Sequence, residues 1–563
     1  MLSVLSFAAL SFLATSGLAK TVVYNWDITW VHASPDGFSR PVIGINGQWP
    51  CPTIEANIGD RVLVHTRNML GNETTSLHFH GLFQSDSNSM DGPAGVTQCP
   101  IPPGARFTYD YTLDQPGTYW YHSHNKGQYI DGLRGPLIVH DKDAPYAKQV
   151  GGEVTLTLSD WYHDEAPGLI HYFQSVDNEN NHNGAEPIPK GALMQDTQNP
   201  TISVKPNKTY LIRIINMGAF AGQFISIDGH QMTIVEVDGV YTVPQKTDQI
   251  YITAAQRYSV LISTKSDASQ NFAIRAAMDE EMFDTVPADL NPNVYGYLVY
   301  DAKKPLPTPT PLTTFAAFDD FKLVPQDQQG LLSKVDHQIL MDFDFINDNG
   351  INRARINGVS YIPQKVPALY TALTTGSDAT NPKVYGTNGN AFVVQPGEVV
   401  EIVLNNHDGG GHPWHLHGHN FQVIARSGEN AGTYPGNAVG APAIPMRRDV
   451  VMVRKGGYVV IRYRADNPGV WLFHCHIEWH VEAGLSATIV ESPMELQKSL
   501  KIPSDHMKIC KDQGIPTAGN AVGNTANHLD LTGELTTPEV PYGALINPPK
   551  KPRSNRVARN FVA

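Results

Sequence analysis

The sequence predicts an all-β fold built from three consecutive β-sandwich modules, and three observations carry that expectation. The chain repeats itself: residues 58–68, 206–216 and 396–406 each run from a turn through an alternating apolar strand to an asparagine, at Asn68, Asn216 and Asn406. Stretches rich in Val, Ile, Thr and Tyr, such as 62–65 and 210–215, are broken by frequent Gly and Pro. No long amphipathic helical pattern stands out. At 563 residues the chain is long enough for three or four domains, each with its own core.

Taken in order, residues 1–19 are apolar and end Gly-Leu-Ala before Lys20, which fits a cleaved signal peptide and a secretory, extracellular or cell-surface destination. Module one is expected over 20–142 and module two over 143–303. Sequons at Asn72 and Asn207 suit a secreted glycoprotein, whereas Pro200 disqualifies Asn199. Residues 304–314, with their Pro-Leu-Pro-Thr-Pro run, read as a stiff linker. Module three follows over 315–510, and a polar tail over 511–563 ends in a basic run from Lys550 to Arg559 that is expected to be a mobile surface segment. No apolar run long enough to span a bilayer follows the leader. The formal net charge of −13 argues against nucleic acid and would tolerate a cationic substrate.

The chemistry lies in four His-x-His pairs. One such pair is usually just two strand histidines, but four in a repeated frame point to metal. Module one reads His78-Phe-His80-Gly81, module three reads His415-Leu-His417-Gly418, and module two has Ser226-Ile-Asp228-Gly229 in the same place. A second match sets Pro116-Gly117 leading to His122-Ser-His124 against Pro468-Gly469 leading to His474-Cys475-His476. Modules one and three thus offer equivalent sets of imidazoles for a small metal cluster between them, a common place for a ligand site. On a strand His474 and His476 face one way and Cys475 the other. One Cys with two His is the ligand set of a blue-copper centre, with His480 and an imidazole from the run His412–His419 to complete it. Of the four cysteines, Cys51, Cys99 and Cys510 remain, so at most one internal disulfide can form. The expected pair is Cys99 with Cys510, leaving the state of Cys51 open.

These four motifs resemble those of the multicopper oxidases, the family of laccases, ascorbate oxidases and ferroxidases, and the resemblance covers nearly all of the mature chain. It implies a cupredoxin-like Greek-key sandwich for each module and four copper ions. By motif position it implies a type 1 copper on His412, Cys475 and His480, with Leu485 in the axial place where a coordinating Met would otherwise stand. It implies a type 2 copper on His78 and His415, and a type 3 pair on His80, His122 and His476 and on His124, His417 and His474. His419 fills no ligand slot. The implied reaction draws single electrons from a reductant near Cys475 and passes them through His474 and His476 to reduce O2 to water.

Within that family the chain is most similar to the fungal iron-uptake ferroxidases, in which three carboxylates beside the type 1 copper bind Fe(II). The matching residues are Glu186, Asp284 and Asp408. Asp408 lies four residues before His412, and Asp284 has Asp279, Glu280 and Glu281 close by as alternatives. The resemblance names an iron permease as a candidate partner, although the membrane segment of anchored relatives is not seen after module three. The runner-up is a laccase-like oxidase of phenols or pigment precursors. A non-catalytic copper-binding protein is the remote alternative, since storage has no use for a cysteine wired between two histidines.

Overall fold

The computed structural model describes residues 19–437 and 440–536; the signal-peptide reading, apart from Ala19, and the basic run at 550–559 lie outside the described residues. Six sheets fall in three successive pairs along the chain. The first pair has four strands in each sheet, and the second and third pairs each combine a six-stranded with a five-stranded sheet. Among the described residues helices are short and lie in the connections, the longest being Ser504–Asp512. Among the described residues no helix is long and apolar enough to cross a membrane.

The sequence repeat is also a repeat of strand pairing. Arg61–Asn68 lies parallel to Thr21–Ala33 and antiparallel to Arg106–Thr112. Thr209–Asn216 sits in the same way between Gly152–Trp161 and Arg257–Ser263, and Val399–Asn406 between His337–Asp348 and Tyr458–Arg464. Alternating apolar residues turn one face of each strand to a core, so Val62, Val64, Ile212, Ile214, Ile402 and Leu404 are all fully buried.

The asparagine that closes each repeat does the same work three times. The Asn68 amide donates to the Glu73 and Ile101 carbonyls at 2.7 and 2.8 Å. That of Asn216 donates to Ala221 and Ile252 at 2.9 and 3.0 Å, and that of Asn406 to Gly410 and Arg454 at 2.8 and 3.0 Å. Each Oδ1 accepts a backbone N–H two residues on, from Leu70, Gly218 and Asp408. In modules one and two these carbonyls would otherwise be stranded away from water, in module three they are part-buried, and in each the buried amide satisfies them. In modules one and three that loop leads into the His-x-His strand.

Cys99 and Cys510 form a disulfide across 411 residues of sequence, and Cys51 is buried and free, its thiol pushed up to about 12 by burial. Residues 511–536 do not trail into solvent. Asn520 is fully buried and donates to the His528 and Asp530 carbonyls, Ala521 donates to Val384, and Lys365 Nζ donates to the Gly533 carbonyl. The polar composition that suggests a mobile tail instead supplies the hydrogen bonds that fix this segment to module three. The proline-rich stretch after Lys303 is exposed, and it docks where Gln249 takes the Thr314 carbonyl at 2.9 Å and the Ala316 N–H at 2.7 Å.

Candidate metal centre

Two strand pairs bring the histidines together. His78–His80 pairs antiparallel with Gly117–His122, so that His78 lies opposite His122. In module three His412–Leu416 pairs with Gly469–Cys475, setting His415 opposite His474 and Trp414 opposite Cys475. The alternation expected from His474-Cys475-His476 is therefore realised, with imidazoles on one side of the strand and the thiol on the other.

On the imidazole side the two modules interleave. The rings of His80 and His415 stack at 3.8 Å between centroids, and those of His78 and His417 lie 4.0 Å apart. Three trios have donor atoms within 4.8 Å of one another: His78, His80 and His415; His80, His122 and His476; and His124, His417 and His474. All eight histidines of the motifs lie in this cluster. All are buried except His124, which is partly exposed.

Their hydrogen bonds sort the ring nitrogens. Nδ1 of His78, His122, His415 and His474 each meets a backbone carbonyl, of Asp91, Ser123, Asp449 and Cys475, at 2.7 to 2.9 Å. Nε2 of His78, His122, His124 and His415 and Nδ1 of His80 are buried with no hydrogen-bond partner, as are both ring nitrogens of His476. Burial, reinforced by neighbouring imidazoles, pushes His80, His124, His415, His417 and His476 well below the ordinary histidine range. Neutral rings that donate outward and leave unpartnered lone pairs facing one another fit transition-metal ligation and leave those nitrogens unsatisfied without it.

On the thiol side Cys475 Sγ is 3.4 Å from His480 Nδ1 and 3.7 Å from His412 Nδ1, and those two nitrogens are 2.9 Å apart. A buried thiol with two imidazole Nδ1 atoms is a soft donor set of the blue-copper kind. Without a metal, burial pushes the Cys475 thiol well up, so metal binding there must release its proton. Leu485 is fully buried against this group, its carbonyl accepting from Cys475 N at 3.1 Å, and its side chain offers no donor atom.

The outer nitrogens of the same two histidines meet acids. Nε2 of His480 is 2.9 Å from Glu186 Oε1, and Nε2 of His412 is 3.1 Å from Asp408 Oδ2. Glu186 comes from module two and follows the helix Val176–His182, whose C-terminal Asn183 and Gly184 both take positive φ so that the chain can turn back. Burial pushes the Glu186 carboxyl up to about 7, with the Asp408 charge adding to it. Burial also works to raise Asp408, but the His412 hydrogen bond and charge and the Gly410 N–H outweigh it and hold Asp408 below the usual carboxylate range. Asp284 is exposed at its surface, and its carboxyl is raised by partial desolvation and by the charges of Glu186 and Asp408. The three acids named from the sequence therefore share one field beside His412 and His480.

Asp91 adds a contact that the sequence motifs do not name. It is fully buried, with Oδ2 2.9 Å from His417 Nδ1 and Oδ1 3.2 Å from His78 Nδ1, so it orients one imidazole from each module. Its only signal in the sequence is an Asp in a Met-Asp-Gly-Pro turn between two histidine pairs. His419, ambiguous in the sequence, bonds Glu491 at 2.7 Å and stays out of both metal groups.

Paired β-sandwich modules with an imidazole cluster between the first and third and a Cys/His site beside it define a copper-dependent oxidase of the cupredoxin type. Family models described as multicopper oxidase match residues 27–144, 152–303 and 361–495, and the chain belongs to the multicopper oxidases. An iron transport multicopper oxidase, fetC of Epichloe festucae, is 55% identical over 92% of this chain and 84% of that protein. The iron transport multicopper oxidase FET3 of Saccharomyces cerevisiae is 45% identical over 94% of this chain and 85% of that protein. Among solved structures, Fet3p, a multicopper oxidase that functions in iron import, superposes with a TM-score of 0.89 at 44% identity, covering 92% of this chain and 99% of that one. The laccase of Botrytis aclada superposes at 0.75 with 29% identity, covering 88% and 91%.

Proposed function

We propose that the protein is a ferroxidase that oxidises Fe(II) to Fe(III) and reduces O2 to water, acting in iron uptake or homeostasis. The observation that carries this is the pair of acids on the outer nitrogens of His412 and His480, whose charges Asp284 also feels. Hard carboxylate oxygens bind Fe(III) better than Fe(II), so an iron held by Glu186, Asp284 and Asp408 is both captured and made easier to oxidise. The names of the relatives support the same substrate.

His412, Cys475 and His480 are the residues that would hold the type 1 copper, with Leu485 a non-coordinating neighbour, and His78 and His415 those that would hold the type 2 copper. His80, His122 and His476, and His124, His417 and His474, are the proposed type 3 ligands. Bound copper supplies one-electron exchange on the Cys475 side and the four-electron reduction of O2 on the imidazole side. The chain's own part is placement. The Glu186–His480 and Asp408–His412 hydrogen bonds link those acids directly to the two histidines beside Cys475. Cys475 is covalently continuous with His474 and His476, one on each side of it in the chain. Asp91, Asp449 and backbone carbonyls hold ring N–H groups of His78, His80, His122, His415, His417 and His474 outward.

The domain reading is 20–142, 143–303 and 315–510, joined by the linker at 304–314. The secretory route and an iron permease as partner belong to the same proposal. An organic reductant is the second reading, favoured by a cavity of about 670 Å3 between modules two and three, walled by Phe224, Tyr251 and Phe315 and reaching Gly411 next to His412. Kinetics on Fe(II) and on phenols with the copper-loaded protein decide between them: a higher kcat/KM for Fe(II) supports the first reading, and a higher one for phenols the second.

A further inference from the structure

The middle module contributes no histidine to the cluster, yet one of its side chains reaches it. Arg257 opens the strand Arg257–Ser263, and its guanidinium is fully buried. Nη1 and Nη2 each donate to one oxygen of Asp449 at 2.6 Å, and Nε donates to the Thr118 carbonyl at 3.0 Å. Thr118 lies on the strand that ends at His122, and Asp449 precedes Val450, the residue paired with His415. A single side chain thus joins all three modules at the cluster.

Asp449 faces the histidines with its other contacts. Its Oδ1 is 3.3 Å from His80 Nε2, and its backbone carbonyl accepts from His415 Nδ1 at 2.9 Å. The nitrogens left over, His80 Nδ1 and His415 Nε2, are among those without a hydrogen-bond partner. Behind Arg257 the buried charges go on alternating. Asp238 accepts the Arg257 backbone N–H at 2.8 Å and the Arg448 Nε at 2.8 Å, and Arg448 pairs in turn with Asp320, beyond the proline-rich stretch. A planar fork bonded to both carboxylate oxygens fixes orientation as well as charge. Gly81, next to His80, makes room for it: a Cβ there would lie 2.4 Å from Arg257 Nη2.

We infer that Arg257 is a positioning residue for the histidine cluster, acting through Asp449 to fix which ring nitrogen His80 and His415 turn inward. The inference rests on the copper reading of that cluster. The same clamp gives a module without ligands a part in the cluster through one buried arginine.

The test compares the copper-loaded full chain with its Arg257→Met, Arg257→Lys and Asp449→Asn variants. The readouts are copper retained against a competing chelator, the type 2 electron paramagnetic resonance spectrum, and the visible absorption of the Cys475 site as an internal standard. Arg257→Met is expected to keep the visible absorption, to hold cluster copper about 10- to 100-fold more weakly, and to shift the type 2 parameters. Arg257→Lys recovers only part, because an ammonium cannot bind both oxygens in a fork. Loss of visible absorption and cluster copper in step, with unshifted type 2 parameters, would make the role merely structural and overturn the inference. If Arg257→Met does not fold, the near-isosteric Asp449→Asn decides, and wild-type retention and spectra in that variant overturn it. A wild-type protein without cluster copper would instead sink the parent reading, and is seen before any variant is compared.

Discussion

Replacing Glu186 with alanine removes the acid closest to His480. The side chain is 12% exposed, so its interactions are little screened by solvent. A hydrogen bond to a charged group contributes about 1.5–3 kcal/mol, and an anionic ligand facing a cation in the same place is worth at least as much. At 1.4 kcal/mol per tenfold, Glu186→Ala should lower kcat/KM for Fe(II) by roughly 10- to 150-fold. Asp408→Ala should cost less through iron binding, since that side chain is 29% exposed. The assay is O2 uptake with Fe(II) and, separately, with a phenol, on enzyme of matched copper content. Glu186 is not among the copper donors, so phenol oxidation should persist in the variant. An unchanged iron kcat/KM would refute the reasoning, and so would an equal fall for iron and phenol.

Other consequences follow from the same structure. Cys475→Ser should abolish the intense visible absorption and Fe(II) oxidation while cluster copper, measured by metal analysis, is retained; retained iron turnover would contradict the entry route. Leu485→Met supplies a thioether where the side chain now offers none, and should lower the type 1 potential in a redox titration. Replacing Cys99 and Cys510 together with alanine releases a 411-residue loop and should cost about 2–4 kcal/mol, read as faster thermal inactivation. Asn216→Ala strands two buried carbonyls and should destabilise by about 1–3 kcal/mol, and Asn406→Ala, whose two carbonyls are only part-buried, should cost about 1 kcal/mol. Only Asn406→Ala should also raise the KM for Fe(II), because Asn406 Oδ1 holds Asp408 N–H.

What the sequence made legible was local or periodic. The Asn-terminated repeat exposed the sandwich frame, because the same strand pairing recurs wherever that pattern occurs. Strand alternation alone separated Cys475 from His474 and His476, and the histidine pairs fell into place once two modules were matched. What stayed hidden depends on partners distant in the chain. Asp91 acts on His417 across 326 residues and Arg257 on Asp449 across 192, and nothing in their immediate neighbours signals either contact. Glu186 meets His480 across 294 residues and was found only through the resemblance of its surrounding segment. The packing of residues 511–536 was invisible for another reason: it rests on side-chain amides and backbone hydrogen bonds rather than on an apolar face, so composition reads it as tail.

The most direct test of the account is steady-state O2 uptake by the copper-loaded protein with Fe(II) and with several phenols, counting Fe(II) consumed per O2. Fe(II) should give the higher kcat/KM, with four Fe(II) oxidised for each O2 and no peroxide released. A clear preference for phenols, or peroxide as the product, would contradict it.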